Sequence, residues 1–200
     1  MFTNSSSYII TCCVVLLLNS ARVSSQNMDI DILRSLNPQN PHAAFWKGVS
    51  DSYIIVSGTA TLGTLAFGIL KKDKQMQHNA YETLIAIGID VVATEGLKRI
   101  VNRSRPAVDY PNDVYVVSKT QGQSFPSGHT SLAFATATSF SIQYKKWYVV
   151  VPAYVWAGCV GYSRMYLGKH YPSDVLGGAL VGTASSFLSH WLSKKIFPKK

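Results

Sequence analysis

Three short stretches hold residues whose types and spacing suit chemistry on a phosphate ester. "KRIVNRSRP" carries Lys98, Arg99, Arg103 and Arg105; "PSGH" is Pro126–His129; "SRMYLGKHYPSD" runs from Ser163 to Asp174 and holds Arg164 and His170. Two arginines and a lysine neutralise a phosphoryl group, the arginines with bidentate geometry. Ser127 and Gly128 at a helix start present backbone N–H groups where the helix dipole favours an anion, and glycine lets the backbone approach closely. His129 and His170 supply one nucleophile and one general acid. Asp174, four residues after His170, is spaced to accept one ring N–H and fix the attacking tautomer. Each stretch alone is a weak signal: a basic run is usually a solvated face, Pro-Ser-Gly a helix start, a lone histidine a bystander. Together they make a phosphate-ester site.

These residues need elements to hold them, and the sequence supplies five apolar segments. They are Ser52–Leu70, Tyr81–Ile100, Ser127 to about Tyr144, Trp147–Leu167 and Ser173–Leu192. The first, read as a helix, is about 28 Å long, enough for a bilayer core. Each is rich in Gly, Ala, Ser and Thr, which suits close helix packing in a membrane and lowers the mean hydropathy. The connectors "KKDK", "KK" and "KKIFPKK" hold nine lysines. All fall on one side if the segments alternate through a bilayer, so that side is expected to be cytoplasmic. The three chemical stretches fall on the other. The expected fold is all-α, an integral-membrane helical bundle of about five transmembrane helices after an N-terminal signal-like segment. Pro172 suits the first turn of the last helix, placing His170 at its threshold and Asp174 inside it.

The remainder is compatible with one domain of 200 residues, 47% hydrophobic and 14% charged. Residues 1–25 read as a signal peptide, with Tyr8–Leu18 as its core and an uncleaved anchor as the alternative. Residues 26–51 read as an extracytoplasmic arm, with Trp46 and Lys47 either at a membrane interface or on a loosely packed segment. Residues 52–200 form the membrane-embedded phosphatase domain. Cys12, Cys13 and Cys159 allow no disulfide framework or cysteine metal site. The net charge of +9 is largely explained by topology, and no aromatic-interleaved basic patch points to nucleic acid. Asp90, inside the second segment, reads as a structural hydrogen-bonding group. Glu95 is spaced to pair with Lys98 or Arg99.

The three stretches resemble the motifs of the type 2 phosphatidic acid phosphatase family, whose superfamily also holds bacterial acid phosphatases and vanadium haloperoxidases. Lys98 to Arg105-Pro106, Pro126–His129, and Ser163-Arg164 with His170 and Asp174 match it at eleven fixed positions, in order and spacing. The resemblance implies a helical core over about 52–195 and a role for each residue. His170 attacks phosphorus and forms a phosphohistidine; Asp174 orients it; His129 protonates the leaving oxygen and then activates water. Lys98, Arg105, Ser127, Gly128 and Arg164 bind the phosphoryl oxygens. Arg103, Tyr166 and Lys169 lie outside the motifs and read as surface or packing residues. No metal and no cofactor is implied. "HYPSDVLGGALVG" is similar to the membrane branch, whose substrates would be lipid phosphates: undecaprenyl pyrophosphate, phosphatidic acid, phosphatidylglycerol phosphate or a lipid A phosphate. The expected location is the cytoplasmic membrane, with the site facing the periplasm or exterior. The alternative is a soluble periplasmic acid phosphatase with the same site. A haloperoxidase and a non-enzymatic head-group binder stand further off.

Overall fold

The computed structural model describes residues 28–40, 44–118 and 121–196. The signal-like segment, with Cys12 and Cys13, lies outside them. The described residues form helices and loops, with no strand among them. A short helix α1 covers 28–36. It is followed by α2 (Ala44–Leu70), α3 (Lys74–Val101), α4 (Pro106–Asp109), α5 (Gly128–Tyr144), α6 (Trp147–Tyr166) and α7 (Pro172–Ile196). All five apolar segments lie in the long helices. α2 starts at Ala44, so the second half of the expected arm is the first turns of the first long helix.

The first two lysine connectors, KKDK and KK, are tight turns that force their flanking helices antiparallel. Lys72 and Lys145 take the left-handed conformation there, at φ 55° and 50°. Asp73 caps α3 by accepting from the Gln75 and Met76 amides at 2.9 and 3.0 Å. That carboxylate satisfies two of the helix's free N–H groups.

The small-residue helix α5 is central and packs against α2, α3, α6 and α7. Its buried face is Thr130, Ser131, Ala133, Ala135 and Ala137–Ser139 among others. Small side chains there admit close neighbours. At Gly178 and Gly182 of α7, a Cβ would strike the Ser127 and Ser131 carbonyl oxygens inside contact distance. Hydroxyls join the helices across this core: Ser139 to Ser186 at 3.0 Å, Thr136 to Ser57 at 2.8 Å, and Ser189 to the Glu82 carbonyl at 2.7 Å. Each such contact between membrane helices contributes about 0.6 kcal/mol on average.

Large apolar side chains point the other way. Ile54, Ile55, Leu62, Val92, Val155, Leu180 and Phe187 are each at least half exposed. A small, polar interior beneath an apolar exterior is the reverse of a water-soluble domain and suits a lipid surround. By length and composition alone, α2 and α7 qualify as membrane crossings. α3 carries Glu82, Asp90 and Glu95, and α5 has 17 residues. Asp90 is buried and accepts a hydrogen bond from Ser131 of α5, which ties α3 to α5.

The arm is not loosely packed. Ile30 and Leu33 of α1 are buried with Val114 and Tyr171. Asn37 donates to the Tyr115 and Tyr166 carbonyls at 2.9 and 2.8 Å and accepts from the Tyr115 amide at 2.8 Å. Trp46 packs on Tyr162 and Tyr166, with ring centroids 4.7 and 5.6 Å apart.

Candidate active site

The end of the bundle opposite the lysine turns gathers four helix ends: the last turns of α3 and α6 and the first turns of α5 and α7. A helix C-terminus offers cations a favourable position and an N-terminus offers anions one. Lys98 occupies the last turn of α3, and its Nζ is held by Glu95 Oε1 at 3.1 Å. Arg105 is the N-cap of α4, where extended backbone and Pro106 at the first helical position start the turn. Ser127 is the N-cap of α5 but makes no side-chain cap bond. Its hydroxyl pairs with Thr130 Oγ1 at 2.9 Å instead. The first-turn amides of α5 are therefore not capped by a side chain, the arrangement that favours an anion.

Three contacts stitch the stretches together. A Cβ on Gly128 would lie 3.7 Å from Lys98 Nζ, which sets the first stretch beside the second. The Ser127 amide donates to the Asp174 carbonyl at 3.0 Å, joining the second to the third. Arg105 Nη1 lies 3.4 Å from His170 Nε2, joining the third to the first. Arg105 is anchored by donating to the Lys169 carbonyl at 2.9 Å and the Gly122 carbonyl at 3.1 Å. Arg164 donates to Ser50 of α2 at 2.5 Å, and its buried Nε has no hydrogen-bond partner among the described residues. His129 stacks on Tyr53 of α2 at 3.8 Å and lies within electrostatic reach of Arg164, His170, Lys98 and Arg105. All eight residues expected at the site thus converge on one place.

His170 is 2% exposed and Asp174 fully buried. Asp174 Oδ2 faces His170 Nδ1 at 3.4 Å, and that ring nitrogen has no closer partner among the described residues. The other nitrogen, Nε2, points toward Arg105. Burial pushes the His170 imidazole down to about 4; Asp174 raises it, while Arg164 and Arg105 lower it further. The ring is therefore neutral near pH 7. With Nδ1 carrying the proton toward Asp174, Nε2 presents its lone pair among arginines, where an anionic phosphoryl group would sit.

Asp174 is itself held from three directions. Ser124 Oγ donates to Oδ2 at 2.5 Å, the Tyr171 amide to Oδ2 at 2.9 Å, and Arg103 Nη1 to Oδ1 at 2.8 Å. Arg103 therefore belongs to the site's support and is not a surface residue. Lys169 is also buried, its Nζ bound to the Ser118 carbonyl and hydroxyl. Tyr166 packs on Trp46, in keeping with the expected surface or packing role. A cavity of about 450 Å³ opens beside Arg105 and Lys169, with Val108, Pro111 and Val116 on its walls. Among the described residues, no three His, Cys, Asp or Glu side chains are grouped to hold a metal ion.

Arg103 had a faint signal, an arginine two positions before the motif arginine. Ser124, Ser50, Tyr53 and Asp29 had none, because their contacts span 50 to 144 positions of sequence.

Comparison with known proteins follows the same lines. The sequence model of the PAP2 superfamily matches residues 80–198. A lipid A 4'-phosphatase of Bacteroides thetaiotaomicron is 27% identical over 179 residues, covering 84% of this chain and 79% of the relative. A lipid A 1-phosphatase of Porphyromonas gingivalis is 44% identical over 81 residues, 39% of this chain, and the match spans only 18% of that relative's length. The crystal structure of Aquifex aeolicus LpxE superposes with a TM-score of 0.67 at 27% identity, over 82% of this chain and 95% of that one. A transmembrane PAP2 type phosphatidylglycerolphosphate phosphatase from Bacillus subtilis gives 0.70 at 23% identity, over 96% and 98%, a likeness of fold.

Proposed function

The chain belongs to the PAP2 superfamily, and from that premise we propose that it is a metal-independent phosphatase of membrane lipid phosphates working through a phosphohistidine. It is a multi-pass membrane protein. The observation that carries the reading is the placement of His170. Its Nε2 lies 3.4 Å from Arg105, its Nδ1 faces buried Asp174, and a second histidine stands across the same cluster of cations.

The reaction runs in two displacements. His170 Nε2 forms a bond to phosphorus while the phosphorus–oxygen bond to the lipid breaks, and His129 delivers a proton to the departing oxygen. The developing imidazolium strengthens the Nδ1–H contact to Asp174, and the 3.4 Å separation closes. His129 then takes a proton from water as the water oxygen attacks phosphorus. The nitrogen–phosphorus bond breaks, releasing inorganic phosphate. Lys98, Arg105, Arg164, Ser127 and the Gly128 amide bind the equatorial oxygens throughout. These groups supply the positive charge the transition state needs, and Arg164 Nε is a buried donor that a phosphoryl oxygen would satisfy.

The five long helices span the bilayer, with the lysine turns in the cytoplasm and the site at the periplasmic or exterior surface of the inner membrane. A lipid tail lies against the apolar exterior while only the head group enters the charged site. Lipid A phosphates are the first substrates to test, because a lipid A phosphatase matches over most of the chain. The test is phosphate release by detergent-purified protein from lipid A phosphate, undecaprenyl pyrophosphate, phosphatidic acid and phosphatidylglycerol phosphate. Turnover of at least one, lost in His170→Ala, is expected. Turnover unchanged by that substitution would refute the reading.

A further inference from the structure

Asp29 lies in α1, 145 positions before Asp174, and reaches the site through Arg103. Its Oδ2 accepts from Arg103 Nη2 at 2.8 Å and from the Ser173 hydroxyl, and its Oδ1 accepts from the Ser173 amide at 2.9 Å. One carboxylate thus caps the first turn of α7 and shares the guanidinium that grips Asp174. Arg103 Nη1 divides itself between Asp174 Oδ1 at 2.8 Å and Ser173 Oγ at 2.6 Å, and the guanidinium lies 3.9 Å over the Tyr171 ring. Asp29 is 7% exposed, and α1 is pinned by Ile30 and Leu33 in the cluster with Tyr171. Neither partner in the ion pair is free to drift.

We infer that Asp29 and Arg103 are positioning residues for the nucleophile, Asp29 serving to leave Asp174 its negative charge. This rests on the phosphatase reading of the site. The reasoning is a count of charges. Arg103 alone beside Asp174 would form a neutral pair, and His170 would then face only cations or neutral groups: Arg105 from the α3–α5 connection, Arg164 from α6 and His129 from α5. With Asp29 sharing Arg103, the two carboxylates and one guanidinium carry a net negative charge. That charge compensates the positive imidazole formed as the nitrogen–phosphorus bond is made. Arg103 also fixes the carboxylate's orientation by holding Oδ1, while Oδ2 is turned to Nδ1. The N-terminal arm therefore helps to position the nucleophile.

The experiment is a set of pH profiles of kcat/KM, in detergent micelles with dioctanoyl phosphatidic acid, for wild type and four variants. Asp29→Asn keeps the shape and removes the charge. Its kcat is expected to fall roughly tenfold with KM within about twofold, and its acid limb to move to lower pH by about half a unit, because Asp174 is more fully neutralised. Arg103→Gln is expected to move the limb the opposite way, and the double variant to return it toward or above the wild-type position. Ser173→Ala loses the hydroxyl's bond to Asp29 and the bond it accepts from Arg103, keeps the amide bond and changes no charge; it is expected to leave the limb in place. Opposite shifts in the two single variants, reversed in the double, are not produced by a merely structural role. Should Asp29→Asn not fold, Arg103→Gln still decides by the direction of its shift. Limbs coincident with wild type, or a shift of the same sign in Ser173→Ala and Asp29→Asn, would overturn the inference. His170→Ala runs alongside. If it still turns over, the phosphatase reading fails; if it is dead while Asp29→Asn matches wild type, only the role of Asp29 fails.

Discussion

Ser124 Oγ donates to Asp174 Oδ2 at 2.5 Å, and both groups are fully buried. The same oxygen faces His170 Nδ1, so the serine holds the carboxylate oxygen that the histidine addresses. A hydrogen bond to a buried charge contributes about 1.5–3 kcal/mol. Ser124→Ala is therefore expected to lower kcat by roughly ten- to a hundredfold with little change in KM. Steady-state kinetics on the purified variant check this; an unchanged kcat would remove Ser124 from the support of Asp174.

Arg105 offers a second test, of geometry against charge. Its Nε and Nη1 donate to the Gly122 and Lys169 carbonyls, which aims the guanidinium at His170. Lysine keeps the charge but loses the planar fork. Arg105→Lys is expected to lose about ten- to a hundredfold in kcat/KM. Near-wild-type kinetics would mean that charge alone suffices there.

Arg164 predicts a binding effect that needs no turnover. Its Nε is buried without a partner among the described residues, and an anion at the site would supply one. Orthovanadate, a phosphate mimic, is expected to raise the melting temperature of wild-type protein in detergent. The rise is expected to disappear in Arg164→Gln. Equal stabilisation of both proteins would place the anion elsewhere.

The pH dependence follows from burial. The His170 imidazole is pushed down to about 4 chiefly by desolvation. Attack needs the neutral ring, and protonation removes it as pH falls. Activity governed by His170 is thus expected to persist well below pH 6 and decline as pH approaches about 4. An acid limb of kcat/KM near the ordinary histidine value of about 6.5 would show that His170 is not held in this environment.

The close approach of α5 and α7 can be tested apart from catalysis. A side chain at Gly182 would collide with the Ser131 carbonyl and the Ala135 amide, whereas Gly88 faces open space. Gly182→Val is expected to cost about 1–3 kcal/mol or more from overpacking, seen as a lower melting temperature in detergent. Gly88→Ala is expected to be near neutral.

Much of this site was legible in the sequence, for a physical reason. Phosphate chemistry demands particular side chains, and helix ends bring them together at short, fixed spacings. His170 and Asp174 stand four apart because one turn links them, and Ser127 and Gly128 must open α5. The lysine turns were equally readable, since Lys71–Lys74 and Lys145–Lys146 leave no room for anything but antiparallel neighbours. What sequence spacing did not reveal is contact at long range. Asp29 meets Ser173 across 144 positions, and Ser50 meets Arg164 across 114. Nothing local marks either partner. Arg103 and Lys169 read as surface or packing residues because neither falls in a motif; a buried carboxylate in one case and a carbonyl in the other draws them inward. The arm followed the same logic. Its apolar side chains Ile30 and Leu33 are too few to announce a core, yet they complete one around Tyr171.

The central claim is that His170 carries the phosphoryl group. Purified protein mixed with lipid substrate bearing labelled phosphate, then quenched within a turnover, tests it directly. The account predicts an acid-labile, base-stable label on the peptide containing His170, absent from His170→Ala. Label on another residue, or turnover by His170→Ala at the wild-type rate, would contradict it.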